Sequence, residues 1–133
     1  MGKPLSDAVR RLQEIAEEDL RVAAACLELR PPAVRTAAFH SQQAAEKQLK
    51  AWLVALGDPD PPEVHSLPAL ARLIAGRGGP VLTEEPLRLL SRFAVGPRYG
   101  LAHVTLPEAE RGLTAAQQIV EQATRAVAAL MGS

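Results

Sequence analysis

Apolar positions recur at three- and four-residue steps through most of this chain, and that period predicts helices throughout with no strand. The first helix takes its cap from Ser6 or Asp7 and buries a stripe of Leu5, Val9, Leu12, Ala16, Leu20, Ala23 and Leu27. Glu14, Glu17, Glu18 and Asp19 fill its outer faces. Pro31-Pro32 ends it, because proline lacks the amide donor and pushes the preceding residue out of helical angles. The second helix runs from about Ala33 to Leu56 and sets Phe39, Ala45, Leu49, Trp52, Leu53 and Leu56 on one buried face. The same steps line up His40, Gln43, Lys47 and Lys50 as a second, polar stripe. Glu46 precedes Lys50 by four residues, the favourable order for a helical ion pair. Two helices of this length joined by so short a link pack antiparallel.

The stretch Gly57-Asp-Pro-Asp-Pro-Pro-Glu63 reads as a stiff surface loop. Beyond it Ser66 caps a short third helix, with Pro68 in its first turn and Leu67, Leu70, Leu73 and Ile74 facing inward. Gly76-Arg-Gly-Gly-Pro80 stops that helix. A phosphate-cradling use of these glycines does not fit, since no strand precedes them. Thr83 caps a fourth helix, with Glu84 and Glu85 near its positive end. Leu87, Leu90 and Phe93 form its buried side and leave Arg88 and Arg92 adjacent on a polar face. Residues 94–104 are neither periodic nor especially polar. Thr105-x-x-Glu108 is a capping box opening the last helix, whose stripe is Leu106, Ala109, Leu113, Ala116, Val120, Ala123, Val127 and Leu130. The expected fold is all-α: an up-down helical bundle of three long helices (first, second and last) and two short ones, in a single domain over 1–133.

Composition narrows the function classes. Fifteen basic and fifteen acidic residues cancel, so no global field draws the protein to nucleic acid or to a membrane surface. Locally, residues 64–106 hold Arg72, Arg77, Arg88, Arg92 and Arg98 against Glu84 and Glu85, and no carboxylate lies between Pro86 and Pro107. A solvated helix face and a phosphate-holding patch both fit that run. The single cysteine, Cys26, excludes an intramolecular disulfide and falls at core spacing. Three dispersed histidines make no zinc set, and no Gly-x-Ser-x-Gly elbow accompanies the serines. With no secretion signal and no long apolar span, the expected location is the cytoplasm.

Several of these residues together carry a family resemblance. Gln43-Ala-Ala-Glu-Lys47, then Leu49-Lys-Ala51, then His65-Ser-Leu67 after the proline-rich loop, and Arg98-Tyr99 before the last helix resemble a prokaryotic HEPN domain over roughly residues 7–130. The resemblance implies the HEPN-type bundle, a nucleotide or RNA ligand, a homodimer, and a small nucleotidyltransferase as partner in a two-gene, toxin–antitoxin-like system. It implies no cofactor and no metal. In the ribonucleases of that family an Arg is followed after four to six residues by a His. Arg98-Tyr-Gly-Leu-Ala-His103 has that spacing, although Thr105 stands where many toxin-type members carry Tyr.

That pair suits RNA cleavage by its own 2′-hydroxyl. An imidazole moves protons near neutral pH, while a permanently charged guanidinium stabilises phosphorane oxygens, and no metal is needed. Three readings stand side by side: catalysis by Arg98 and His103, phosphate or nucleotide binding without turnover, or structural roles in a helical scaffold. Arg98, Tyr99, Arg92, Arg88 and Lys47 are the candidates for phosphate or base contacts. Gln43, Glu46 and His65 are expected to form a structural polar network that orders the start of the third helix.

Overall fold

The fold is described from a computed structural model, which covers residues 2–94 and 103–132. Five helices appear in it, and no strand occurs among the described residues: α1 (Lys3–Glu28), α2 (Val34–Ala55), α3 (Leu67–Gly76), α4 (Glu84–Ser91) and α5 (Leu106–Met131). The chain is therefore an all-α bundle of three long and two short helices, as the periodicity predicts.

Helix ends follow local chemistry, with one correction. α1 begins at Lys3 rather than at a Ser6 or Asp7 cap, with Gly2 as the capping residue. Pro4 sits in the first turn, where its missing amide has no partner to lose, and Asp7 pairs instead with Arg10 at 3.5 Å. At the other end, Arg30 donates to the carbonyls of Leu27 and Leu29 at 3.1 and 2.8 Å, a cation against the negative pole of the helix. α2 and α3 close in the same way. Gly57 and Gly78 have positive φ of 108° and 94°. Behind them Asp58 donates back to Leu53, and Gly79 to Ile74, the six-to-one bond of a Schellman cap. The glycines of 76–80 thus terminate a helix. Thr83 occupies the capping position of α4 but makes no side-chain cap bond.

α1 and α2 run antiparallel. Ala33 donates to Cys26 at 2.9 Å beside the turn, and further along each helix His40 meets Asp19 at 2.7 Å. α2 is the central rod, packed against α1 on one side and α5 on another, with α3 and α4 across its end. Its contact faces carry Ala37, Ala38, Ala44, Ala45 and Ala51, all fully buried, so neighbouring backbones approach closely. The larger side chains Leu49, Trp52, Leu53, Leu70, Ile74, Leu87, Leu90 and Phe93 fill the space where the short helices meet it. Three predicted inward residues sit at the surface instead: Leu73, Leu106 and Leu130 are each about two-fifths exposed. They lie on α3, which is only ten residues long, and at the two ends of α5, where no further helix among the described residues covers them.

One glycine fixes how α4 meets α5. A Cβ on Gly112 would stand 2.7 Å from the ring of Phe93, which is completely buried. Phe93 has no room to retreat, so Gly112 lets the ring lie directly on the α5 backbone. Gly112→Ala gains up to about 1 kcal/mol of helix propensity but incurs an overpacking cost of about 1–3 kcal/mol. A net loss of about 1 kcal/mol in urea denaturation is expected. A gain in stability would show that the ring is free to move.

Candidate functional site

The second stripe of α2 is not a solvated face. His40, Gln43, Lys47 and Lys50 are half-buried, and between them Ser41, Gln42, Glu46 and Gln48 are buried outright. The centre is Glu46, whose side chain is only 1% exposed. An isolated carboxylate there would be prohibitively costly, and it survives because donors surround it. Gln42 Nε2 donates to Oε1 at 2.9 Å, and His65 Nδ1 lies 2.8 Å from the same oxygen. Lys50 Nζ donates to Oε2 at 3.1 Å, with Lys47 Nζ 3.6 Å away. A carboxylate only accepts, so His65 carries its proton on Nδ1 and donates it to Glu46.

Of the three residues expected to form a polar network, Glu46 and His65 are in direct contact. Gln43 stands one step back, donating to Gln42 Oε1 at 2.7 Å. Sequence reasoning missed Gln42. It lies four residues before Glu46, the spacing of a helical side-chain pair, but periodicity alone did not show that this face is covered.

From His65 the polar chain continues outward. Ser66 caps α3 by accepting from the Ala69 amide at 3.3 Å. The adjacent Leu67 amide donates to Ser91 Oγ at 2.9 Å, which pins the start of α3 to the end of α4. Next in sequence, Arg92 reaches across to Glu108 at 3.0 Å. Glu108 closes the capping box of α5: its carboxylate accepts from the Thr105 amide at 3.0 Å, while its own amide donates to Thr105 Oγ1 at 3.3 Å. The Thr105 amide and hydroxyl, aided by Arg92, hold the Glu108 carboxyl below its usual range.

The predicted phosphate ligands divide into two groups. Arg88 and Arg92 are exposed, but each already has a carboxylate partner, Glu84 at 2.6 Å and Glu108 at 3.0 Å. Arg72 also faces Glu84, at 3.8 Å. The gap in acidic residues between 86 and 107 is thus closed in space by the carboxylates at its two edges. Lys47 is different, since it shares its one carboxylate with Lys50. Arg98 and Tyr99 lie outside the described residues. His103 is described; it is exposed, in the short turn leading into α5. The catalytic pairing expected of Arg98 and His103 therefore has only its second member in view.

A separate cleft of about 770 Å³ opens between α4 and α5, among Leu82, Pro86, Leu87, Ala115 and Ile119. None of the predicted site residues that are described lines it. Among the described residues no three His, Cys, Asp or Glu side chains converge as metal ligands, and no helix is long and apolar enough to cross a membrane.

Comparison with known proteins gives one result. The HEPN domain family matches residues 9–127, nearly the whole chain. The chain belongs to the HEPN domain family, and this membership supports a function connected with nucleotides or RNA. No curated protein and no solved structure matches it.

The Glu46 network gives stability a definite pH dependence. Burial alone raises the carboxyl, but hydrogen bonds from His65, Gln42 and Lys50, with the charge of Lys50, outweigh it and hold Glu46 below its ordinary value of 4.5. A group depressed in the folded state contributes stability that is complete above the unfolded value and is lost as pH falls through the lower folded one. Glu46→Gln is expected to cost about 1–3 kcal/mol at neutral pH and progressively less below about pH 4.5. Denaturation of both proteins from about pH 7 to about pH 3 reads this directly. A cost that stays constant across that range would show that the carboxylate charge takes no part.

Proposed function

We propose that this protein binds nucleotide or RNA phosphate as a HEPN domain of the kind paired with a small nucleotidyltransferase, in a two-gene system of toxin–antitoxin type. The observation that carries the reading is the family match over residues 9–127, joined to the Arg98-Tyr99 pair before α5. The protein acts in the cytoplasm as a homodimer, in which the segments bearing Arg98 and His103 from two protomers face one cleft. Its mass in light scattering is then near twice 14.2 kDa. Local groups suffice for a few phosphate contacts, so the neutral net charge is no obstacle.

A second reading, metal-independent RNA cleavage, is favoured by one observation. His103 is exposed at the mouth of α5 and follows Arg98 at the spacing of the family's ribonucleases. There Arg98 stabilises the pentacoordinate phosphorane and His103 moves the proton of the 2′-hydroxyl.

Incubation with single-stranded RNA in EDTA, read by binding and by end-group analysis, tests both. Binding without cutting is the expected result, and cyclic phosphate ends select the second reading. Arg98→Ala is expected to abolish binding while leaving the melting temperature nearly unchanged, because the sequence around it carries no apolar helical stripe that would tie it into the core. If Arg98→Ala instead lowers stability by more than about 2 kcal/mol, Arg98 is a structural tie and the assignment fails. His103→Ala separates the roles: cleavage lost with binding kept marks a proton-transfer group, and no effect on either marks a bystander.

A further inference from the structure

We infer that Lys47, Lys50 and His65 form a binding site for a phosphate monoester, the terminal phosphate of a nucleotide. The inference rests on the nucleotide reading above and says where the phosphate sits.

The starting point is local charge balance. Arg92 pairs with Glu108 and Arg10 with Asp7, while Arg72 and Arg88 share Glu84, which is half exposed. At Glu46 the sharing is buried: two ammonium groups address one oxygen of a carboxylate only 1% exposed. Among the described residues no other carboxylate lies within ion-pair reach of either lysine. The cluster therefore keeps one positive charge in excess, and a second when the His65 imidazole is protonated. A phosphate monoester near neutral pH carries between one and two negative charges.

Burial makes this excess more than a surface accident. The side chains of Lys50 and Lys47 are 14% and 26% exposed, so water screens them far less than it screens Arg11, Arg21 or Arg35 on the outer faces. Each ammonium has three donors; Glu46 takes one from Lys50, while Lys47, 3.6 Å away, is held by charge alone. His65, 54% exposed, forms the outer wall. Its Nδ1 is committed to Glu46, which leaves Nε2 for solvent or ligand. The buried carboxylate thus holds Lys50 and His65 by hydrogen bonds and Lys47 by charge before any ligand arrives, and this preorganisation saves the entropy of gathering them.

The three histidines allow a direct test. The imidazole resonances of His40, His65 and His103 in ¹⁵N-labelled protein are followed during titration with adenosine 5′-monophosphate, inorganic phosphate and phosphate-free adenosine. The expected result is a saturable shift of His65 with the first two and none with adenosine. Lys47→Gln, chosen because Lys47 is the more exposed lysine and the farther from Glu46, weakens that binding about tenfold with unchanged melting temperature. A shift at His103 without one at His65 overturns the inference and leaves the proposed function standing. Binding that Lys47→Gln does not weaken overturns it as well, as does the absence of any shift. Failure of the RNA-binding assay in EDTA, by contrast, counts against the proposed function itself.

Discussion

A charge placed inside the bundle sets the terms for one whole end of this molecule. Glu46 lies on the central helix with 1% of its side chain exposed, and a carboxylate in that position must be surrounded by donors or lose its charge. α2 supplies the donors Gln42 and Lys50 and the nearby charge of Lys47 from its own turns, but the third donor, His65, arrives from beyond the proline-rich loop. That bond fixes where the loop ends. Ser66 then caps α3, Leu67 holds Ser91, and α4 ends at that point. Thr105 opens α5, and its capping box is shared with Arg92 through Glu108. The starts of α3 and α5 and the end of α4 are thus tied together by consecutive polar contacts.

The packing around that network relies on small residues. Fully buried alanines along α2 bring the long helices close, and Gly112 lets Phe93 lie on α5. Glu46 is itself buried, and a low local dielectric strengthens each of its hydrogen bonds and raises the cost of losing one.

Much of the fold was legible because its signals are local. The order of three long and two short helices follows from period and prolines, and the Ser66 cap and the Thr105–Glu108 box follow from spacings of three residues. The start of α1 was misplaced because Gly2-Lys-Pro4 competes with Ser6-Asp7 as a helix start, and Pro4 fits a first turn well. Leu73, Leu106 and Leu130 belong to the right stripes but lie beyond the reach of a covering helix, which no single-helix pattern encodes. The site was less legible. Arg88 and Arg92 read as candidate phosphate contacts because the carboxylates opposite them, Glu84 and Glu108, lie at the edges of the acid-free run and meet them in the folded chain. Gln42 passed unnoticed for the complementary reason: burial of a polar face is a tertiary fact.

Family membership points to nucleotides or RNA, and the charge excess at Glu46 offers a place for a phosphate to bind. The proposed phosphate site depends on Glu46 and His65 acting together across the loop. A double-mutant cycle on Glu46→Gln and His65→Gln, read by urea denaturation at neutral pH, measures that dependence most directly. The predicted coupling is about 1 kcal/mol, reduced from a fully buried value because His65 is half exposed. Additive losses, with coupling within about 0.3 kcal/mol of zero, would contradict the account.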